Sequence, residues 1–528
     1  MTTEEIKKII ARTAAKTFEV EVPDFEVSYP EEKFGDFSSN IAFKLAKPLS
    51  RAPQEIASEL ANQIKHADIK KVEMAGPGFI NLTMVDNYWL KKLANLESNL
   101  SRKLVNKPQR VQVEFISANP TGPLTLANAR GGYLGDVLAS VLSQVGHDTT
   151  SEYYINDAGG QVEHLANAIK AESGQAIEGE RQYTGEYVAE LAAKLKSELG
   201  KDDLGWRAVA EIIELIKATA DRMGISFDVW FSEQSLIDRE LTKKVIDVFD
   251  QKGLIYKKDG ATWLKTTEFG DNRDRVLVKS SGEYVYLVND YAYHYEIFTD
   301  RKFDRAIKIW GADHAGQVES LKLGVKQLIP SSQLDFILLQ MVRIIKDGKE
   351  FKSSKRAGNF ITVDELLDEV GNSDVVRFFF LLHSSDSQMD FDIDLAREHS
   401  QQNPLYYVMY SYARANSILE KASQNNLKPV GRLDKPNNHE RNLIKQLDKF
   451  QELLLQVANS YEVHKLSFYG HETARLFHAY YESEKIIELD NPIAAGKLGL
   501  INSYKLFMEQ YFKLIGITAQ AKMDSRSD

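Results

Sequence analysis

The chain has 528 residues, 43% of them hydrophobic and 27% charged, with a formal net charge of -10. That length exceeds what one hydrophobic core supports, so several domains are expected, and the acidic balance excludes a generally basic nucleic-acid binder while leaving room for local cationic patches. The absence of cysteine removes disulfides, thiolate zinc sites and cysteine nucleophiles, no apolar run approaches a bilayer span, and the start MTTEEIKKII lacks the apolar core of an export signal, so a cytoplasmic protein without a membrane partner is expected.

Residues 1–107 read as a self-contained α/β domain. Thr2 and Glu5 carry the signature of a capping box, Ile56, Leu60 and Ile64 mark a helical face, and KVEMAGPGFINLTM reads as two extended segments around a Gly-Pro-Gly turn. After the charged stretch SRKLVNKPQR a second domain is expected over 108–392. VQVEF is a short strand, ISANPTGPLTL a turn-rich loop, and Leu134, Val137, Leu138, Val141, Leu142 and Val145 recur at helical steps. The β-rich TTSEYYIND follows, completing the parallel crossover unit with which nucleotide-binding folds begin. The span of about 158–270 is polar, expected to be mostly helical, and too long for a connection in a compact sheet, which predicts an insertion. AIKIW is a further strand running into GADHAGQVESLKLG, where Val318, Leu321, Val325 and Leu328 mark another helix face. From 393 to 528, long amphipathic segments with one polar break predict an all-α helical bundle.

Two segments carry chemistry. VEFISANPTGPLTLANAR places a loop between the carboxyl end of a strand and a helix amino terminus, where anionic phosphates bind. By themselves Asn119, Thr121, Gly122 and Pro123 are equally a turn with a cap. IIKDGKEFKSSKRAGNFITVDELL, with its loop over 346–362, sets two lysines and an arginine among small residues, ahead of a helix that Thr362 and Glu365 would cap. A mobile loop that brings cations to a developing pyrophosphate has this composition, and so does a solvated basic loop. Glu114 stands among apolar strand neighbours, where a carboxylate without a partner would be costly.

These segments resemble the paired HIGH and KMSKS motifs of class I aminoacyl-tRNA synthetases, with Lys352 to Arg356 (KSSKR) in the place of the second. Their flanks SANPTGPL, YINDAGGQ, WFSE, WGADHAGQ, KRAGNFITVDELLDEVG, VVRFFFL, MDFDIDLA and NPLYYVMYSYAR resemble arginyl-tRNA synthetases in order and spacing, over nearly the whole chain. The resemblance implies an α/β fold: a Rossmann-type catalytic domain with a helical insertion, preceded by an α/β domain that binds the tRNA D-loop and followed by a helical anticodon-binding domain. It implies ATP-dependent activation of arginine and its transfer to the 3' end of tRNA(Arg), with ATP and Mg2+, without zinc; a monomer is expected. Glu114, Asn119, Tyr286, Asp290 and Gln317 match the arginine contacts, where carboxylates suit the forked donors of a guanidinium. Ala127, Gly311, Asp313 and His314 match positions beside the adenosine, and Thr125, Asn128, Lys352 and Lys355 match catalytic positions along the phosphates. Phe79 and Asn81 match D-loop contacts, and Tyr407, Tyr410 and Met523 match the anticodon side. Without the resemblance, Tyr286 is a core aromatic and Tyr407 with Tyr410 a buried helix face. The HIGH position itself reads Thr125, Leu126, Ala127, Asn128, so shorter, uncharged donors replace both histidines and a methyl that would crowd the adenine replaces the glycine. A catalytically silent tRNA-binding relative is the alternative that this departure motivates.

Overall fold

A computed structural model of the chain describes residues 2–177, 181–351, 361–429, 433, 435–486 and 493–523. The chain clusters into two compact units, one of Met1–Glu97, Ile418–Asp448 and Ala479–Tyr504, the other of Ser98–Ser417, Lys449–His478 and Lys505–Asp528. The expected C-terminal domain, 393–528, is therefore divided between the units, although its described helices Pro404–Gln424, Asn438–Asp448, Phe450–Ser460, His464–Ser483 and Ile493–Leu514 are all α, as the amphipathic pattern predicts. No helix among the described residues is long and apolar enough to cross a membrane.

In the first unit the expected capping box starts helix Thr3–Phe18: Thr2 N donates to Glu5 Oε2 at 2.7 Å and Glu5 N donates to Thr2 Oγ1 at 3.2 Å. The two extended segments form the antiparallel pair Ile69–Ala75 and Phe79–Met84, in a sheet ordered Val27–Ser28, Phe37–Ser39, Phe79–Met84, Ile69–Ala75. Their turn needs glycine at 78, which has φ +136° and whose Cβ would stand 2.7 Å from Pro53 Cβ. Ile56, Leu60, Ile80 and Leu82 are fully buried in the core that the sheet and its helices share.

The second unit is built on a five-stranded parallel sheet in the order Gln333–Leu339, Arg305–Gly311, Arg110–Glu114, Asp148–Ile155, Val229–Ser232. The span 158–270 is mostly helical; within it Val229–Ser232 also pairs with Glu152 to Ile155 as the sheet's edge strand, and Ile255–Lys258 and Ala261–Leu264 form an antiparallel meander with Arg275–Val278 just beyond it. Strands of four residues, half-buried on both sides, carry too little alternation to be separated from helical neighbours by periodicity.

Helix Leu126–Val145 follows the central strand and buries Val137, Leu138, Val141, Leu142 and Val145 completely. It lies so close to the sheet that a Cβ on Gly135 would stand 2.2 Å from the Phe115 ring. Because the chain leaves Arg110–Glu114 toward one side of the sheet and returns in Arg305–Gly311 on the other, the two strands flank the point where strand order reverses. Ligands of open α/β sheets bind outside the carboxyl ends of strands at such a point.

Candidate active site

The carboxyl ends of the two strands at this reversal lead into the two helix starts that the sequence singles out. At the first, Thr125 is the N-cap of Leu126–Val145, and its backbone N and its Oγ1 both donate to Asn128 Oδ1, at 2.8 and 2.9 Å. The carboxamide oxygen is thus engaged within the turn, and the Nδ2 protons are the donors left for an anion at the helix amino terminus. Ala127 is exposed in the same turn. At the second, Gly311 ends its strand and Ala312–His314 form a single 3-10 turn before helix Ala315–Leu328. Asp313 and His314 are exposed and lie 3.5 Å apart, with the imidazole 5.6 Å from the Trp310 ring.

The residues that follow the basic segment come to the first of these turns. Thr362 forms an antiparallel bridge with Thr125, and Val363 N donates to Leu124 O at 2.9 Å. The expected cap is present, with Thr362 N on Glu365 Oε2 at 2.9 Å and Glu365 N on Thr362 Oγ1 at 3.1 Å. On its other side the segment is held by the hairpin of Val342–Lys346 and Lys349–Glu350. Lys352 and Lys355 lie outside the described residues, which resume at 361.

Near the carboxyl end of the central strand lies a set of carboxylates. Glu114 ends the central strand and is buried, and it has the partners that such a position requires: Lys308 Nζ donates to its Oε2 at 2.6 Å and Tyr293 OH lies 2.9 Å from the same atom. Asp290, in the first turn and a half of helix Tyr286–Thr299, is pushed up to about 7, first by its removal from water and then by the charges of Glu233 and Glu114, with Lys308 acting against them. Glu233 is buried and also pushed up to about 7, mainly by burial, against a hydrogen bond from Asn289. Asp157 is consumed structurally, accepting from Ser232 Oγ at 2.6 Å and from Gln234 N at 3.0 Å. Burial first, and then the charges of Glu233, Asp290, Glu114 and Asp157, hold the Tyr154 phenol well above its ordinary range. Four acids thus converge, and for Glu233 and Asp290 no cation among the described residues forms an ion pair. Such an excess suits a planar cationic ligand with several donors.

Asn119 and Tyr286 border this set. Asn156 Nδ2 donates to Asn119 Oδ1 at 3.1 Å, and the Tyr286 hydroxyl stands 4.0 Å from where a Cβ on Gly159 would be. Tyr286 is 63% exposed, so it is not the core aromatic its composition suggests. Gln317 is exposed in the first turn of Ala315–Leu328. Elsewhere in this unit Tyr407 stacks on His471 at 4.7 Å, Tyr410 lies over His478 at 5.8 Å, and Met523 is half-buried. In the first unit Phe79 is exposed, edge-on to Phe43 at 5.0 Å, whereas Asn81 is buried and its Oδ1 accepts from Ser38. Glu233 and Lys308 were not singled out from the sequence. The signal for Lys308 was available, a lone cation at the centre of the apolar strand AIKIW; Glu233 carried none apart from its place in WFSE.

Known proteins match this chain from end to end. Family profiles described as arginyl tRNA synthetase N terminal domain, tRNA synthetases class I (R) catalytic domain, and DALR anticodon binding domain match residues 4–84, 92–377 and 408–523. The arginine–tRNA ligase of Bacillus subtilis (strain 168) is 36% identical over 547 residues, covering 98% of each chain. That of Moorella thermoacetica (strain ATCC 39073 / JCM 9320) is 37% identical over 97% of this chain and 96% of the relative. The solved arginyl-tRNA synthetase of Thermus thermophilus shares the fold with a TM-score of 0.79 at 20% identity, over 99% of this chain and 100% of that one. The Plasmodium falciparum enzyme does so with a TM-score of 0.80 at 18% identity, over 99% of both.

Proposed function

The chain belongs to the arginyl-tRNA synthetases, and on that premise we propose how its residues divide the work of an arginine–tRNA ligase that uses ATP, arginine and tRNA. The observation that carries the assignment of residues is the gathering of Glu114, Asp157, Glu233 and Asp290 around Tyr154 beside the strand reversal, where among the described residues Glu114 alone of the four has a cation. The guanidinium of arginine supplies the missing cation. Asp290 and Glu233 take its forked donors, while Asn119, Tyr286 and Gln317 border the rest of the amino acid. The nucleotide lies between the two helix starts, its base and ribose toward Ala127, Gly311, Asp313 and His314, its phosphates at the amino terminus of Leu126–Val145.

The arginine carboxylate attacks the α-phosphate in line, an oxygen–phosphorus bond forms as the bond to pyrophosphate breaks, and the 3'-terminal ribose hydroxyl of tRNA then displaces AMP from the adenylate. Asn128 donates to the phosphates through Nδ2 and Thr125 holds that amide in place, so the altered tetrapeptide keeps a donor where the helix dipole attracts anions. Lys352 and Lys355 supply cations to the departing pyrophosphate. No group of three or more metal-ligating side chains occurs among the described residues, and Mg2+ enters on the nucleotide as part of the substrate. Phe79 meets the D-loop while the buried Asn81 braces that strand through Ser38; Tyr407, Tyr410 and Met523 meet the anticodon stem-loop, and the enzyme works as a cytoplasmic monomer. Nothing in the comparisons supports a catalytically silent relative. The test is exchange of labelled pyrophosphate into ATP in the presence of tRNA: exchange with arginine and with none of the other amino acids is the expected result, and no exchange under any condition refutes the enzymatic reading.

The acids also predict a pH dependence. Asp290 and Glu233 are both pushed up to about 7, chiefly by burial, whereas a guanidinium keeps its charge throughout this range. Below 7 both acids are increasingly protonated and binding must expel those protons; above 8 they are ionised already. The Kd for arginine therefore tightens by roughly tenfold or more from pH 6 to pH 8 and then levels. Calorimetry in buffers of different ionisation enthalpy detects the released protons at pH 6, and a Kd that is flat across this interval contradicts the assignment.

A further inference from the structure

Lys308 sits at the centre of strand Arg305–Gly311 with its side chain fully buried, directly opposite Glu114 in the sheet register. A buried ammonium is costly unless it is paired and hydrogen-bonded. Here Nζ donates to Glu114 Oε2 at 2.6 Å and to Gln112 Oε1 at 3.0 Å, and it lies 4.1 Å from the centre of the Tyr293 ring. The Tyr293 oxygen stands 2.9 Å from Glu114 Oε2 and 2.7 Å from Glu152 Oε1, and it accepts from Gln112 Nε2 at 2.8 Å. Glu152, itself fully buried, has its own cation in Arg301. Beneath the arginine pocket there are therefore two neutral pairs, joined through one phenol.

The asymmetry at Glu114 is informative. Both of its partners hold Oε2, and among the described residues no donor reaches Oε1. A carboxylate kept only for packing would be served as well by an apolar pair of the same volume. We propose that Lys308 is a positioning residue for arginine: it fixes Glu114 by one oxygen, cancels its charge, and presents the other oxygen to the bound amino acid. The uncompensated charge of the pocket then resides on Asp290 and Glu233, where the guanidinium meets it. This inference rests on the reading that the chain activates arginine.

The proposal makes a sign reversal measurable in exchange kinetics. In the native background Lys308→Met removes the donor that fixes Glu114 in place, and the arginine KM rises because the lost orientation outweighs the added attraction of the freed charge. In Glu114→Gln the ammonium is instead left beside an incoming cation, and the arginine KM rises roughly 100-fold; adding Lys308→Met to that variant removes the stray charge and lowers the KM again by about tenfold. The KM for ATP stays within about twofold in all three. Should Lys308→Met alone fail to fold, the two Glu114→Gln proteins still decide the matter. A double variant that is folded by circular dichroism and binds arginine no better than Glu114→Gln overturns the proposal, as does an arginine KM that moves in step with the KM for ATP. Loss of arginine-dependent exchange in the unmutated protein refutes the functional reading instead, so the two failures are distinguishable.

Discussion

Asp290→Ala is expected to weaken arginine binding by roughly 100-fold or more at pH 8, while the KM for ATP changes by less than about twofold. Removing one member of a hydrogen-bonded charge pair costs about 2 to 5 kcal/mol, because the partner is left desolvated and unmatched. The partner here is the substrate guanidinium, so the loss falls on the amino acid and not on the nucleotide. The same substitution has the opposite sign for stability. Burial and the neighbouring Glu233 and Glu114 raise the Asp290 carboxyl above its unfolded value, so its ionisation opposes folding progressively as pH rises through about 7. The variant should therefore melt no lower than the native protein at pH 8, and higher if the pocket does not collapse. A function-bearing residue that destabilises its own fold is the expected trade at a binding site. Equal losses in arginine and ATP affinity, or a lowered Tm, would show that Asp290 is part of the scaffold.

Arg377→Met is the second large effect, and it concerns stability. The guanidinium is buried in the second unit, in ion-pair contact with Asp136, and it donates to Ile515 O at 3.3 Å, Met223 O at 3.1 Å and Gly224 O at 2.9 Å. The fit is close enough that a Cβ on Gly516 would stand 2.2 Å from Nη1. Methionine fills much of the volume and satisfies none of these acceptors, so a cost of about 3 to 5 kcal/mol is expected, which lowers Tm by roughly 10 °C in a unit of this size. Asp136 lies on helix Leu126–Val145, at whose start stand Thr125 and Asn128, so Arg377 ties the middle of the helix proposed to present the phosphate donors to the carbonyls of Met223, Gly224 and Ile515. Adding Asp136→Asn should recover part of the loss, because the carboxylate left without its cation is then gone. No recovery would assign the cost to the three carbonyls left without a donor and to packing against Tyr133, whose ring lies 5.1 Å from the guanidinium carbon.

Much of this architecture is legible in the chain because its elements are long and strongly patterned. The capping boxes at Thr2 and Thr362, the helix through Leu134 to Val145 and the Gly-Pro-Gly hairpin are local features whose causes lie within a few residues. Val229–Ser232 was hidden for the converse reason: four residues of strand take their identity from the sheet they join. The acid pocket shows the same division. Glu114 and Asp290 lie in motifs and could be named, but the state of Glu114 depends on Lys308, 194 positions away, and that of Asp290 on Glu233, which no periodicity marks. The two tRNA-facing readings stand apart, since Asn81 is buried against Ser38 while Phe79 beside it in the sequence pattern is exposed.

Carboxylates without an ion-pair partner in this fold are expected to receive a guanidinium, and binding of arginine and of citrulline tests this with one atom changed. Citrulline carries an uncharged urea of nearly the same shape. Calorimetric titration at pH 8 should give an arginine Kd at least about 100-fold tighter than that of citrulline, with the ratio shrinking at pH 6 as Asp290 and Glu233 take up protons. Equal affinity for the two amino acids, or a ratio that does not change with pH, would contradict the account.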